Sequence, residues 1–258
     1  MKKIIVFSAD GMVGEDLALL EKMPNFQRYL SKGARINRVQ SIYPTVTYPA
    51  HITMSTGAYP NVHGVVSNYK MLPGVHPAVW QWMHTAVKCE DIFDAVKASG
   101  RTTAASFWPC TGCHPSIDYL VDECWTTSPE ETIPEVFARH GASEEVLEIV
   151  RRNMYMLQNG RENKSPWNEN FCVRCAADMI RQYQPDFLML HPANIDAYRH
   201  ESGVFSPLVE HGVTKRIHGL ARSLKQPSMQ ACGRIPTSSL SATMVCGTSA
   251  VPSISIHF

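Results

Sequence analysis

The run Lys3-Ile4-Ile5-Val6-Phe7-Ser8, closed by Ala9-Asp10-Gly11, constrains the fold more than any other stretch of the chain. It is continuously apolar rather than alternating, which suits a short strand buried on both faces of a parallel sheet. It falls well short of the ~20 apolar residues that a bilayer crossing needs. Asp10 also interrupts it before it reaches the length of a signal-peptide core. A strand of this kind delivers Asp10 to its carboxyl end, where open α/β sheets place their chemistry. A second run, Phe187-Leu188-Met189-Leu190, follows Pro185-Asp186 and empties into the polar stretch His191 to His200.

Between these runs the pattern alternates. Pro24 to Lys32 has helical spacing with Gly33 as a stop, and Ile36 to Ile42 reads as a strand. Ala50 to Thr56 reads as a helix closed by Gly57, with Pro49 at its first position. Asp91 to Ser99 is a helix stopped by Gly100, and Thr103 to Phe107 is a strand. Helical pieces are expected at Ile133 to Arg139, Glu144 to Leu157 and Cys172 to Tyr183. The expected fold class is therefore α/β, a mostly parallel sheet sandwiched by helices. Residues 1–108 would form the first part of the core, 109–166 a turn-rich cap insertion, 167–212 the second part of the core, and 213–258 an aberrant tail.

The chain has 258 residues, 44% of them hydrophobic, enough for one sizeable core with a small cap. Its formal charge of +1 supplies no global field for a nucleic acid polymer or an anionic membrane, so any preference for phosphate must be local. The expected location is cytoplasmic. Eight cysteines include the pairs Cys110/Cys113 and Cys172/Cys175, which have the spacing of zinc half-sites but read more simply as free thiols.

Three segments carry candidate chemistry. The first is Asp10-Gly11, which taken alone is a common turn. The second runs from Tyr43 to Asn68 and contains Pro44-Thr45-Val46-Thr47-Tyr48-Pro49-Ala50-His51 and Thr56-Gly57-Ala58-Tyr59-Pro60-Asn61-Val62-His63-Gly64. A threonine at a helix start can be activated as a nucleophile by the helix dipole and a bound cation, or can simply cap the helix. The third is Asp196-Ala197-Tyr198-Arg199-His200, whose carboxylate and imidazole could converge on one zinc or stand solvated.

In this order, the three segments resemble the nucleotide pyrophosphatase/phosphodiesterases (type I phosphodiesterases) of the alkaline phosphatase superfamily. The match covers roughly residues 3 to 203 with gaps, and Pro44 to Asn68 is its most specific part. The resemblance implies a metal-dependent hydrolase of phosphodiester or pyrophosphate bonds, acting on a small-molecule or nucleotide substrate with two zinc ions. It implies that Thr47 is the nucleophile, forming a phosphothreonine intermediate, and that Asp10 and Thr47 bind one zinc. Asp196 and His200 would bind the other, and Asn68 would hold a phosphate oxygen. His51 and His63 match motif histidines expected to be structural. A phosphomonoesterase or sulfatase-like hydrolase of the same superfamily, or a non-catalytic relative, are the alternatives.

The resemblance breaks after Val213. Family members continue with a Trp-[Leu/Ile]-Gly step, an Asp-Ala-Gly turn, a strand and Ser-Asp-His-Gly, whose Asp and His bind the zinc of the nucleophile. None of these is present here, and the chain becomes rich in serine and threonine. The genetic code offers a reason. Methionine is only ATG and valine begins GT, so Met244-Val245 read one base earlier must give glycine. The three residues before it can then read Ser-Asp-His. Met229-Gln230 becomes alanine in the same frame, and His218-Gly219 becomes tryptophan or arginine. The expectation is a shifted reading frame beginning near His211 to Arg216, with a natural carboxyl-terminal variant as the alternative. Each zinc would then keep only two recognisable ligands, the sheet would lack a strand and a helix, and the chain would be weakly active or inactive.

Overall fold

The computed structural model describes residues 3–24, 26–27, 34–36, 39–216, 240–246 and 253–257. Its strands are β1 (Lys3–Ala9), β2 (Ala34–Arg35), β3 (Thr103–Ser106), β4 (Tyr119–Val121), β5 (Phe187–Leu190), β6 (Leu240–Cys246) and β7 (Ser253–His257). They form one sheet in the order β2-β7-β6-β1-β5-β3-β4. The five strands from β6 to β4 are parallel, and β7 and β2 add an antiparallel edge. The helices are α1 (Leu17–Leu20), α2 (Thr47–Thr56), α3 (Pro60–His63), α4 (Ile92–Ala98), α5 (Ile133–Arg139), α6 (Glu144–Asn153), α7 (Trp167–Gln182), α8 (Asn194–Ser202) and α9 (Pro207–His211).

The period-two geometry of β5 explains why its sequence is continuously apolar. Leu188 and Leu190 face one core with Phe171 and Met179 of α7 and Val146 and Ile149 of α6. Phe187 and Met189 face the other with Phe93 of α4 and with Trp108. A strand covered on both faces has no polar side to present. β3 splits in the same way, with Ala104 in the first core and Ala105 in the second. The helix starts are chemically specified too. Asp91 accepts from the N–H groups of Phe93 and Asp94 at the start of α4, and Ser206 accepts from Val209 at the start of α9.

Several boundaries differ from the sequence reading. Among the described residues of the expected strand Ile36 to Ile42, which leave out 37–38, none is in a strand: β2 stops at Arg35, and Ile36 and Val39 are exposed. Residues 25 and 28–32 of the expected Pro24 to Lys32 helix lie outside the described residues. α2 begins at Thr47 rather than at Pro49. Proline lacks an N–H, and the third helical position needs none inside the helix, so Pro49 fits there equally well. The expected helix over Glu144 to Leu157 ends at Asn153 and passes into a 3₁₀ turn, Met154–Met156.

The stretch 109–166, expected as a cap, contributes β4 to the main sheet and packs α6 against β4 and α7. Its turns misled because β4 has only three residues, too short to leave a periodic signal. The described part of the tail includes β6. β6 pairs with β1 from Lys3↔Leu240 to Ala9↔Cys246, so the edge of β1 is hydrogen-bonded rather than open.

Parallel order sends the ends of β1, β5, β3 and β4 to one side of the sheet. Asp10, His191, Phe107 and Asp122-Glu123 follow those four ends. The candidate site lies on that side.

Candidate active site

Asp10 is 1% exposed, and its Oδ1 accepts a 3.0 Å hydrogen bond from the Gly11 N–H. Gly11 has φ +70°, and a Cβ there would stand 2.6 Å from the Cα of Asp196. Only glycine allows the first turn of α8 to approach the β1 loop this closely. The Asp10-Gly11 pair is thus more than a turn, because its glycine sets Asp196 beside Asp10. Arg199 holds the same junction, donating from Nε to the Gly11 carbonyl (2.6 Å) and from Nη2 to Asp16 (2.5 Å).

Thr47 is the first residue of α2, and Val46 occupies the cap position. The Thr47 hydroxyl is therefore not the helix cap. It donates to Asp10 Oδ2 at 3.2 Å. Asn68 takes the capping role from outside the helix, its Oδ1 accepting from the Tyr48 N–H at 2.9 Å. The amide NH₂ of Asn68 is the group left to donate to an anionic oxygen. His51, one turn into α2, donates from Nδ1 to the Thr47 carbonyl (2.7 Å) and accepts from the Ser8 hydroxyl at Nε2 (2.8 Å). It fastens the helix start to β1. His63 bonds Thr53 and the Val65 N–H, away from Asp10.

Asp196 and His200 occupy successive turns of α8, with Oδ2 and Nε2 3.6 Å apart. His200 is largely exposed. The structure thus brings Asp10, Thr47 and Asp196 to one end of the sheet, with His200 on the solvent side and Asn68 at the start of α2.

Two residues not singled out in the sequence join them. His191 follows β5, is buried, and lies with Nε2 3.4 Å from Asp10 Oδ2 and its ring 4.2 Å from that of His51. Glu123 follows β4 and accepts from the Tyr48 hydroxyl at 3.1 Å. The signal for both was their place just beyond a strand end: β5 was legible in sequence, but Glu123 required knowing that β4 exists.

The electrostatics follow from crowding acids out of water. Burial would push the Asp10 carboxyl up, but His191 beside it, with His51 and Thr47, holds it at about 2. Burial, with Asp122 and Asp10 nearby, pushes Glu123 up to about 7 against the opposing pull of His191 and Tyr48. Burial and the charge of Asp10 also raise Asp196. Burial lowers His51 to about 3, helped by His191, so it stays neutral. The charges of Asp10 and Glu123 raise His191 in spite of burial. A charged Asp10 that helps raise Asp196 and Glu123 marks a site whose negative charge a cation would balance.

Among the described residues, two groups of three or more ligand-type side chains come close enough to share a metal ion, His84/Asp91/His114 and Asp122/Cys124/His140. The first is better explained as a helix lock. His114 Nδ1 accepts from the Ser116 N–H, so its Nε2 carries the proton and donates to Asp91, the cap of α4. The cysteine pairs hold no such group. Cys110 and Cys113 bond the carbonyls of Gln81 and Arg139, and Cys172 bonds Ser106. The tryptophans are packing. Trp108 is fully buried, and Trp80, Trp125 and Trp82 meet edge to face at 5.3 and 5.0 Å.

The family model for type I phosphodiesterase/nucleotide pyrophosphatase matches residues 4–232. The chain belongs to that family. Within it, this member is 30% identical over 127 residues to an ectonucleotide pyrophosphatase/phosphodiesterase of Caenorhabditis elegans, covering 46% of this chain and 16% of that one. It is 35% identical over 66 residues to a bis(5'-adenosyl)-triphosphatase of Xenopus laevis, covering 26% of this chain and 14% of that one.

Murine ectonucleotide pyrophosphatase/phosphodiesterase 5, solved in an inactive form in complex with AMP, shares its fold at a TM-score of 0.61 and 19% identity. That match covers 95% of this chain and 56% of the murine one. Phosphonoacetate hydrolase of Sinorhizobium meliloti, solved with phosphonoformate, is similar at a TM-score of 0.63 and 18% identity, over 94% of this chain and 56% of that one. This phosphodiesterase-family chain therefore spans little more than half the length of the solved structures it matches.

Proposed function

We propose that this family member hydrolyses phosphodiester or pyrophosphate bonds in small molecules, with Thr47 as the nucleophile. The observation that carries the reading is the Thr47 hydroxyl, placed at the first residue of α2, free of any capping role and directed at Asp10. The Thr47 oxygen would bond to phosphorus as the leaving oxygen departs, giving a phosphothreonine that water then hydrolyses to restore the hydroxyl. Asn68 would steady a phosphoryl oxygen through its amide NH₂, and Asp10 would orient the attacking hydroxyl.

The donor set fits divalent cations. Asp10 and Thr47 would hold one ion, and Asp196 and His200 the other. Such ions supply charge withdrawal from the phosphoryl group and a lower pKa for the attacking oxygen. Two relatives bear on the substrate, since one was solved with AMP and another is named for splitting bis(5'-adenosyl) triphosphate. Both favour a nucleotide with a phosphoester or pyrophosphate link. The ligands absent after Val213 favour slow turnover.

The test is release of p-nitrophenol from bis(p-nitrophenyl) phosphate with zinc present. Slow release by the wild type that falls to the uncatalysed rate in Thr47→Ala is expected. Equal release by the two proteins would overturn the reading. Faster turnover of the monoester than of the diester would move the chain to the monoesterase alternative.

A further inference from the structure

The geometry points to His191 as a third protein ligand of the metal ion at Asp10 and Thr47, a role that no family motif in this chain assigns. The inference rests on the metal-dependent reading above, but on different atoms.

The backbone fixes where His191 goes. β1 and β5 run parallel in register, Phe7 opposite Leu190, so the residues just past their ends emerge side by side. The Asp10 N–H donates to the Pro192 carbonyl at 3.2 Å and ties the two exits together. His191 is 1% exposed and has no freedom to swing into solvent.

The ring's hydrogen bonds decide which nitrogen is available. His191 Nδ1 lies 3.2 Å from the Phe107 carbonyl, which can only accept, so Nδ1 carries the proton. Nε2 then points toward Asp10 Oδ2 at 3.4 Å, yet it is buried without a hydrogen bond. A ring nitrogen and a carboxylate oxygen facing each other out of water are held by a positive charge between them, either a proton or a metal ion. Metal-bound histidines commonly use one nitrogen on a carbonyl and the other on the ion, and His191 is arranged in that way.

The spacings agree. Two ligand atoms at about 2.0–2.2 Å from one tetrahedral ion stand about 3.3–3.6 Å apart. His191 Nε2 and Asp10 Oδ2 are 3.4 Å apart, and Thr47 Oγ1 and Asp10 Oδ2 are 3.2 Å apart. The Asp196 and His200 pair, at 3.6 Å, shows the same relation. Each half of the pocket thus holds one aspartate and one histidine at ligand spacing. His191 supplies the imidazole that the chain lacks where the family's Ser-Asp-His-Gly would provide one.

The test uses the full chain with Asp196→Ala and His200→Ala, so that bound cobalt(II) reports on the Asp10 half alone. X-ray absorption should find one imidazole in the cobalt shell, and the four-coordinate visible bands should disappear in His191→Gln. Cobalt bound with no imidazole in its shell would overturn the assignment and leave the metal-dependent function standing. No cobalt or zinc bound even by the wild-type chain would overturn both. The absorption measurement needs no change at His191, so a folding defect in His191→Gln does not protect the claim.

Discussion

Gly11 and Gly57 offer a matched pair at the scale of single residues. Their φ angles are +70° and +68°, but a Cβ on Gly11 would meet Asp196 at 2.6 Å, while one on Gly57 meets nothing within 4 Å. Gly57→Ala should cost about 1 kcal/mol of backbone strain. Gly11→Ala should cost about 2–4 kcal/mol and weaken zinc binding, because Asp196 must retreat from Asp10. Urea unfolding midpoints and zinc titrations check this, and equal losses in both variants would refute it. Asp10, Thr47, Asn68, Asp196 and His200 could be nominated from the sequence because each sits in a motif. His191 and Glu123 were not, because their importance comes from strand register and burial, which no local pattern encodes.

Among the elements, the strands of the parallel sheet were the most legible. β1 and β5 are apolar on both faces, and that pattern has few other readings. β4 was missed because its three residues carry too little periodicity, and with it went the correct reading of 109–166 as core. The amino ends of β3 and β5 suggest a test by acid. Asp118 accepts from the Thr103 N–H at 2.9 Å and pairs with Lys97, and Asp186 accepts from the Thr102 N–H at 3.1 Å and pairs with Lys3.

Burial opposes both charges, yet these partners lower both carboxyls below the ordinary value. Lowered carboxyls stabilise the fold above the unfolded pKa of about 3.9, and the benefit is lost as pH falls through the folded value. Stability should therefore drop steeply below pH about 4. Asp118→Asn and Asp186→Asn should each lose about 1 kcal/mol at neutral pH, the low end for side chains 25% and 28% exposed, and should show a shallower acid slope. An unchanged slope in both variants, from chemical unfolding at stepped pH, would remove these carboxylates from the account. In the core, Leu188→Ala should cost about 2–5 kcal/mol, since the side chain is fully buried.

For the whole molecule, the question is whether scattered loops form one dinuclear pocket. The sequence could place Asp10, Thr47, Asp196 and His200 in one pocket only through family resemblance, since contacts between residues 37 and 186 positions apart leave no local trace. The fold brings Asp10, Thr47 and Asp196 to one side in physical terms: parallel strands send their carboxyl ends there, and a glycine lets α8 close on β1. β6 takes the place beside β1 despite a sequence that departs from the family pattern. Zinc-edge anomalous diffraction from crystals of the full chain tests the pocket most directly. The account predicts two peaks, one at Asp10 Oδ2, Thr47 Oγ1 and His191 Nε2, the other at Asp196 and His200. Zinc found only at His84/Asp91/His114 or at Asp122/Cys124/His140 would contradict it.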